Sequence, residues 1–137
     1  MAERLLAAAS VIWLAALVFA SEWVFPVCVF ICHQRPDRSF FVHGNQMAVC
    51  ARCTGLYTGA ALAAPVAFAA VSAIARSRAR WLLLIASLPT AITWTLEAIG
   101  LMPFSNPARF VAALPLGFAA ALLVLTTLRQ AAPSRRA

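Results

Sequence analysis

Apolar residues fill four long stretches of this chain, and polar residues collect between them. The stretches run from about Leu5 to Ile31, Met47 to Ala75, Trp81 to Met102 and Phe110 to Leu128. Each supplies the roughly 20 residues that cross a bilayer as a helix. Inside lipid a backbone must satisfy its own hydrogen bonds, so each stretch is predicted helical. Pro65, Pro89 and Pro115 lie within them and read as bends, which membrane helices tolerate. The pattern predicts an all-α fold, an integral membrane four-helix bundle. One domain covers 1–137, with helices at about 5–31, 47–75, 81–102 and 110–128 and a short disordered tail at 130–137.

Composition agrees with the pattern. The chain is 64% apolar and 11% charged, with a mean hydropathy of +0.88. It has too few polar residues to cover a soluble surface. The net charge is +7, and all eleven basic residues are arginine. Most sit at the ends of apolar stretches, where they meet lipid headgroups, so nucleic acid is not the expected partner. Residues 1–20 resemble a secretion signal, but the apolar run continues through Trp23, Phe25 and Val27. An uncleaved first helix is expected.

Arginine counting gives an orientation. Arg4, Arg76, Arg78, Arg80, Arg129, Arg135 and Arg136 fall on the side of the termini; Arg35, Arg38, Arg52 and Arg109 fall on the other. Seven against four puts both termini in the cytoplasm and the first loop on the outer side of the cell (inner) membrane. Trp23 and Trp81 lie at predicted interfaces.

The first loop carries the chemistry. All four cysteines lie at its edges: Cys28 and Cys32, followed by His33, then Cys50 and Cys53. If the first helix continues to residue 33, Cys28 and Cys32 are one turn apart on one face. Cys50 and Cys53 share a face at the start of the second helix. The helix N-terminus and Arg52 favour thiolate there, and thiolate is both metal ligand and nucleophile. The first reading is a metal site of Cys28, Cys32, Cys50 and Cys53, with His33 as the alternative to Cys28. Zinc heads the list, as one ion per chain. The second is a thiol–disulfide oxidoreductase working through Cys50 and Cys53, coupled to a membrane quinone. The third, covalent haem, is disfavoured, because that motif has two residues between its cysteines rather than three.

Other polar residues gather at the same end. Glu22, Glu97 and Arg109 are secondary candidates, since ionisable groups in membrane segments are functional candidates by default. Glu97 is expected to be buried with a partner such as Arg109. Asn106 before Pro107 reads as a helix N-cap. His43 is a spare ligand only. Arg35, Asp37, Arg38 and Ser39 can form a salt-bridged turn. Gly55 and Gly59 read as a close helix contact. The chain has no phosphate-binding glycine loop and no serine–histidine–acid set, so redox work is its one enzymatic candidate. No soluble partner is indicated, and transport would call for a homo-oligomer.

Two elements carry a family likeness: Cys32-His33-Gln34-Arg35-Pro36-Asp37-Arg38-Ser39-Phe40, and Cys50-Ala51-Arg52-Cys53-Thr54-Gly55-Leu56-Tyr57-Thr58-Gly59. With Ser105, Asn106 and Arg109 they resemble the prokaryotic membrane family called domain of unknown function 2085, over about Cys32 to Gly117. The resemblance implies a shared Cys/His site and the same order of elements. It implies no established activity. The family pattern often carries an aspartate near Thr93; in this chain Glu97 is the only acid in that helix.

Overall fold

The computed structural model describes residues 2–70 and 76–131. It is mostly helical, and its described residues form five α-helices and one β-hairpin. In order these are α1 (Ala2–Phe19), α2 (Ser21–Cys28), β1 (Ser39–Val42), β2 (Asn45–Cys50), α3 (Ala51–Ala70), α4 (Arg76–Ala98) and α5 (Asn106–Ala131). A 3-10 turn, Pro36–Arg38, leads into β1. By length and apolarity α4 and α5 can each cross a membrane, and α1 with α2 makes a third candidate if the bent pair is one span.

The first apolar stretch, expected as one helix, is broken. The chain leaves α1 at Ala20 and enters α2 at an angle of 108°. Ser21 and Glu22 account for the turn. The Ser21 hydroxyl donates to the Gln46 carbonyl at 3.0 Å, and Glu22 accepts from Asn45 Nδ2 at 2.7 Å. A straight helix would leave both side chains in lipid, where polar groups are costly.

The second stretch begins as a strand, not a helix. Met47, Ala48 and Val49 are consecutive and buried, as in a strand covered on both faces. A short apolar run reads equally well as helix or strand, and only its pairing decides. β2 pairs antiparallel with β1 through His43 and Gly44, whose φ values of 51° and 83° make the tight turn that suits a two-residue hairpin. The end expected at Ala75 lies outside the described residues.

The remaining boundaries also shift. α4 stops at Ala98, before the expected Met102, where Gly100 takes φ 72° and Leu101 N–H returns to the Leu96 carbonyl at 3.0 Å. α5 runs on through Gln130, where the disordered tail was expected to start. Residues 132–137 lie outside the described residues.

α3 packs most extensively on α5, while α4 also packs on α5 and α1 on α3. The small residues make the α3–α5 crossing close, as the Gly55–Gly59 spacing predicts. A Cβ at Gly55 would strike the Phe110 carbonyl, and one at Gly59 the Leu114 carbonyl. From the other side, a Cβ at Gly117 would strike the backbone of Leu56. Gly117→Ala should therefore push the helices apart and cost about 1–3 kcal/mol, read as a lower unfolding midpoint in detergent.

Candidate metal centre

β2 ends at Cys50 and α3 begins at Ala51, so Cys50 and Cys53 straddle a strand–helix junction. Cys32 comes from the turn after α2. Its N–H bonds the Cys28 carbonyl at 2.9 Å, which extends that helix by one irregular turn. The junction and the turn bring the Sγ atoms of Cys32, Cys50 and Cys53 within 4.8 Å of one another. All four cysteines are free thiols.

The group fits a thiophilic ion. Sulfurs about 2.3 Å from a tetrahedral zinc lie about 3.8 Å apart. Three sulfurs within 4.8 Å need to close by only about 1 Å. The Cys50 backbone N–H donates to Cys32 Sγ at 3.1 Å, which ties the two segments at the sulfur group. A hydrogen bond from the Cys53 thiol holds Cys50 well below the ordinary thiol range, with further help from the Cys32 thiol and the backbone N–H groups of Cys53 and Arg52. In the reduced, metal-free protein Cys50 should therefore stay alkylatable well below pH 8. Iodoacetamide labelling against pH, read by peptide mass, checks this.

Two sequence candidates stand outside the sulfur group. Cys28 is fully buried in an apolar cluster with Leu17, Met47 and Val49. His33 is exposed, on a cleft of about 260 Å³ that the three grouped cysteines also line. His43 sits in the hairpin turn, and Glu22 bonds Asn45; both line a separate cleft at the α1–α2 bend.

A buried ion triad stands beside the cysteines. Glu97 of α4 accepts from Arg52 Nη2 of α3 at 3.0 Å and from Arg109 Nε of α5 at 2.6 Å. Its side chain is 7% exposed, and those of Arg52 and Arg109 are 15% and 13% exposed. One carboxylate thus joins three helices. Arg109 also donates to Asn106 Oδ1 at 2.7 Å, and Asn106 Nδ2 donates to the Ser39 carbonyl at 3.0 Å. Asn106 is therefore a strut to β1. The cap is Ser105, whose Oγ accepts from the Ala108 N–H at 3.4 Å.

Gln34 is a positioning residue that residue-by-residue reading passes over. It takes a left-handed φ of 47°, uncommon for a residue with a side chain. Its Nε2 donates to the carbonyls of Phe25 and Ala48 at 2.7 and 2.9 Å, and its own carbonyl accepts from Gln46 Nε2 at 2.7 Å. These bonds tie the Cys32 turn to α2 and β2. The visible signal was the Cys-His-Gln element, in which only the cysteine and histidine look chemical. Arg35 grips Asp37 with two bonds at 3.2 and 3.3 Å, and that pairing holds the exposed Asp37 carboxyl below the usual range.

Residues 32–123 match the model of a family described as "Predicted membrane protein (DUF2085)". An uncharacterized protein of Methanocaldococcus jannaschii is 38% identical over 109 residues, covering 78% of this chain and 69% of its own length. An uncharacterized protein of Methanothermobacter thermautotrophicus is 34% identical over 100 residues, covering 69% of this chain and 84% of its own length. No solved structure matches the chain.

Proposed function

This chain belongs to the DUF2085 family of predicted membrane proteins, and on that footing we propose that it binds one thiophilic metal ion, zinc foremost, through Cys32, Cys50 and Cys53. The observation that carries the reading is the grouping of three sulfurs from two separate segments within 4.8 Å. His33, on the same cleft, is the proposed fourth ligand, which completes a three-sulfur, one-imidazole set. The ion clamps the turn after α2 to the start of α3 and so fixes α2 against α3. Because Cys50 and Cys53 are only half-buried and border an open cleft, the ion can also exchange, which suits metal handling.

With α3 taken as a fourth span beside the three candidates, the bundle lies in the cell membrane with both termini inside and the metal site outside. Seven arginines against four support that orientation. A second reading, thiol–disulfide exchange by Cys50 and Cys53 with a quinone as oxidant, draws on the easily ionised Cys50 thiol.

Elemental analysis of protein purified in mild detergent without added metal, with free thiols counted on the same sample, tests both readings. About one zinc per chain and no disulfide supports the clamp. No metal, with a disulfide that reductant opens and a quinone re-forms, rejects it in favour of redox work.

A further inference from the structure

Four arginines surround the cysteine cleft. Arg35, Arg38, Arg52 and Arg109 all line it. Among the described residues, Asp37 and Glu97 are the acids paired with them. The cleft therefore carries two more guanidinium charges than carboxylates. Three thiolates around a divalent ion would add a single negative charge and leave an excess.

The donors are unevenly used. Arg35 is engaged by Asp37, and Arg109 by Glu97 and Asn106. Arg38 and Arg52 have donors to spare. Among the described residues the buried side-chain nitrogens and oxygens without a hydrogen-bond partner are Arg38 Nε, which stands 3.7 Å from the nearest Asp37 oxygen, and Arg52 Nε. Buried polar groups are nearly always satisfied, so two guanidinium nitrogens without a hydrogen bond, on residues that line one cleft, call for an acceptor. Water could fill the hydrogen bonds but would not balance the charge.

We propose that this cleft is an anion site for a phosphate group, held by Arg38 and Arg52 next to the cysteine cluster. Phosphate offers several acceptor oxygens and negative charge, which guanidinium matches with short, charge-assisted bonds. Apart from His33 and the cysteines, the remaining wall is apolar, with Ile31, Leu56 and Trp94. Ile31 and Trp94 are more than half exposed. The same chemistry therefore admits a free phosphate or a lipid headgroup with its chain beside Trp94. The site goes beyond the metal reading and needs no ion in the cysteines.

The test uses the full chain in an uncharged maltoside detergent, titrated calorimetrically with inorganic phosphate. In parallel, native mass spectrometry counts phosphatidylglycerol carried from nanodiscs of phosphatidylglycerol and phosphatidylcholine. Saturable phosphate binding identifies a free anion. Selective retention of phosphatidylglycerol without phosphate binding identifies a headgroup. Either should weaken at least tenfold in Arg38→Gln and stay unchanged in Arg4→Gln. Arg38 is 40% exposed and bears on no helix crossing, so its variant should fold. Binding of neither probe, or an Arg38→Gln protein that binds as the parent does, overturns the proposal. Running both titrations before and after metal chelation separates this site from the metal clamp.

Discussion

Glu97→Gln should destabilise the protein by about 3–5 kcal/mol, the usual cost of removing one partner from a buried ion pair. Glutamine keeps the shape and one acceptor but removes the charge that two guanidiniums share. Arg52 and Arg109 would then stand nearly buried and unneutralised beside each other. The loss is large against the roughly 5–15 kcal/mol that holds a typical domain together. It should also be local. The apolar window of α4 buries none of its residues in the fold. Its polar ties are Glu97 and the Thr90 hydroxyl, which donates to the Ala112 carbonyl at 2.8 Å. Fluorescence of Trp94, one turn from Glu97, should change with the unfolding midpoint in detergent. Adding Arg52→Gln to Glu97→Gln should recover part of the loss, because it removes one stranded cation. A Glu97→Gln protein with an unchanged midpoint would show that the triad is not a clamp. Asp37→Asn, by contrast, should scarcely move the midpoint, because the Arg35–Asp37 pair is exposed on both sides.

The second large effect concerns the ligand set. Cys32→Ser, Cys50→Ser and Cys53→Ser should each abolish stoichiometric metal, while Cys28→Ser should keep it. Structural zinc is worth about 10–16 kcal/mol in small four-ligand sites, so one ligand in four accounts for about 2.5–4 kcal/mol. That is on the order of a hundredfold to a thousandfold in affinity. Serine at these positions stays protonated and cannot replace thiolate. Cys28 differs because its sulfur is not part of the group in which the other three lie within 4.8 Å of one another. His33→Ala should weaken binding without abolishing it, since three thiolates remain. Competition with a chromogenic zinc indicator measures the series. If Cys28→Ser loses metal as completely as Cys53→Ser, the assigned set is wrong.

Much of this protein is legible from its residues in order. Long apolar runs mark the helices because lipid offers the backbone no hydrogen bonds. The spacing of Gly55 and Gly59 marks a close helix contact, and the opposing backbones of Phe110 and Leu114 meet it. Four cysteines clustered around one loop mark a thiol site, and Glu97 among apolar neighbours marks a buried partner. All of these are local signals, each carried by a pattern within a few turns of chain.

What the order of residues left open depends on contacts between distant segments. The bend at Ala20 follows from Ser21 and Glu22 reaching Gln46 and Asn45, some 25 residues away. Met47–Val49 become a strand because Ser39–Val42 lie beside them. The choice among five candidate ligands turns on which side chains the β2–α3 junction aims at the turn after α2. The convergence of Arg38, Arg52 and Arg109 joins residues from a turn and two helices, and no spacing along the chain announces it. Sequence by itself determined which segments are apolar enough to be helices and which residues carry chemistry, because those are properties of each residue and its near neighbours. Tertiary structure alone decided which thiols share a site and which charges pair, because those depend on distances across the fold.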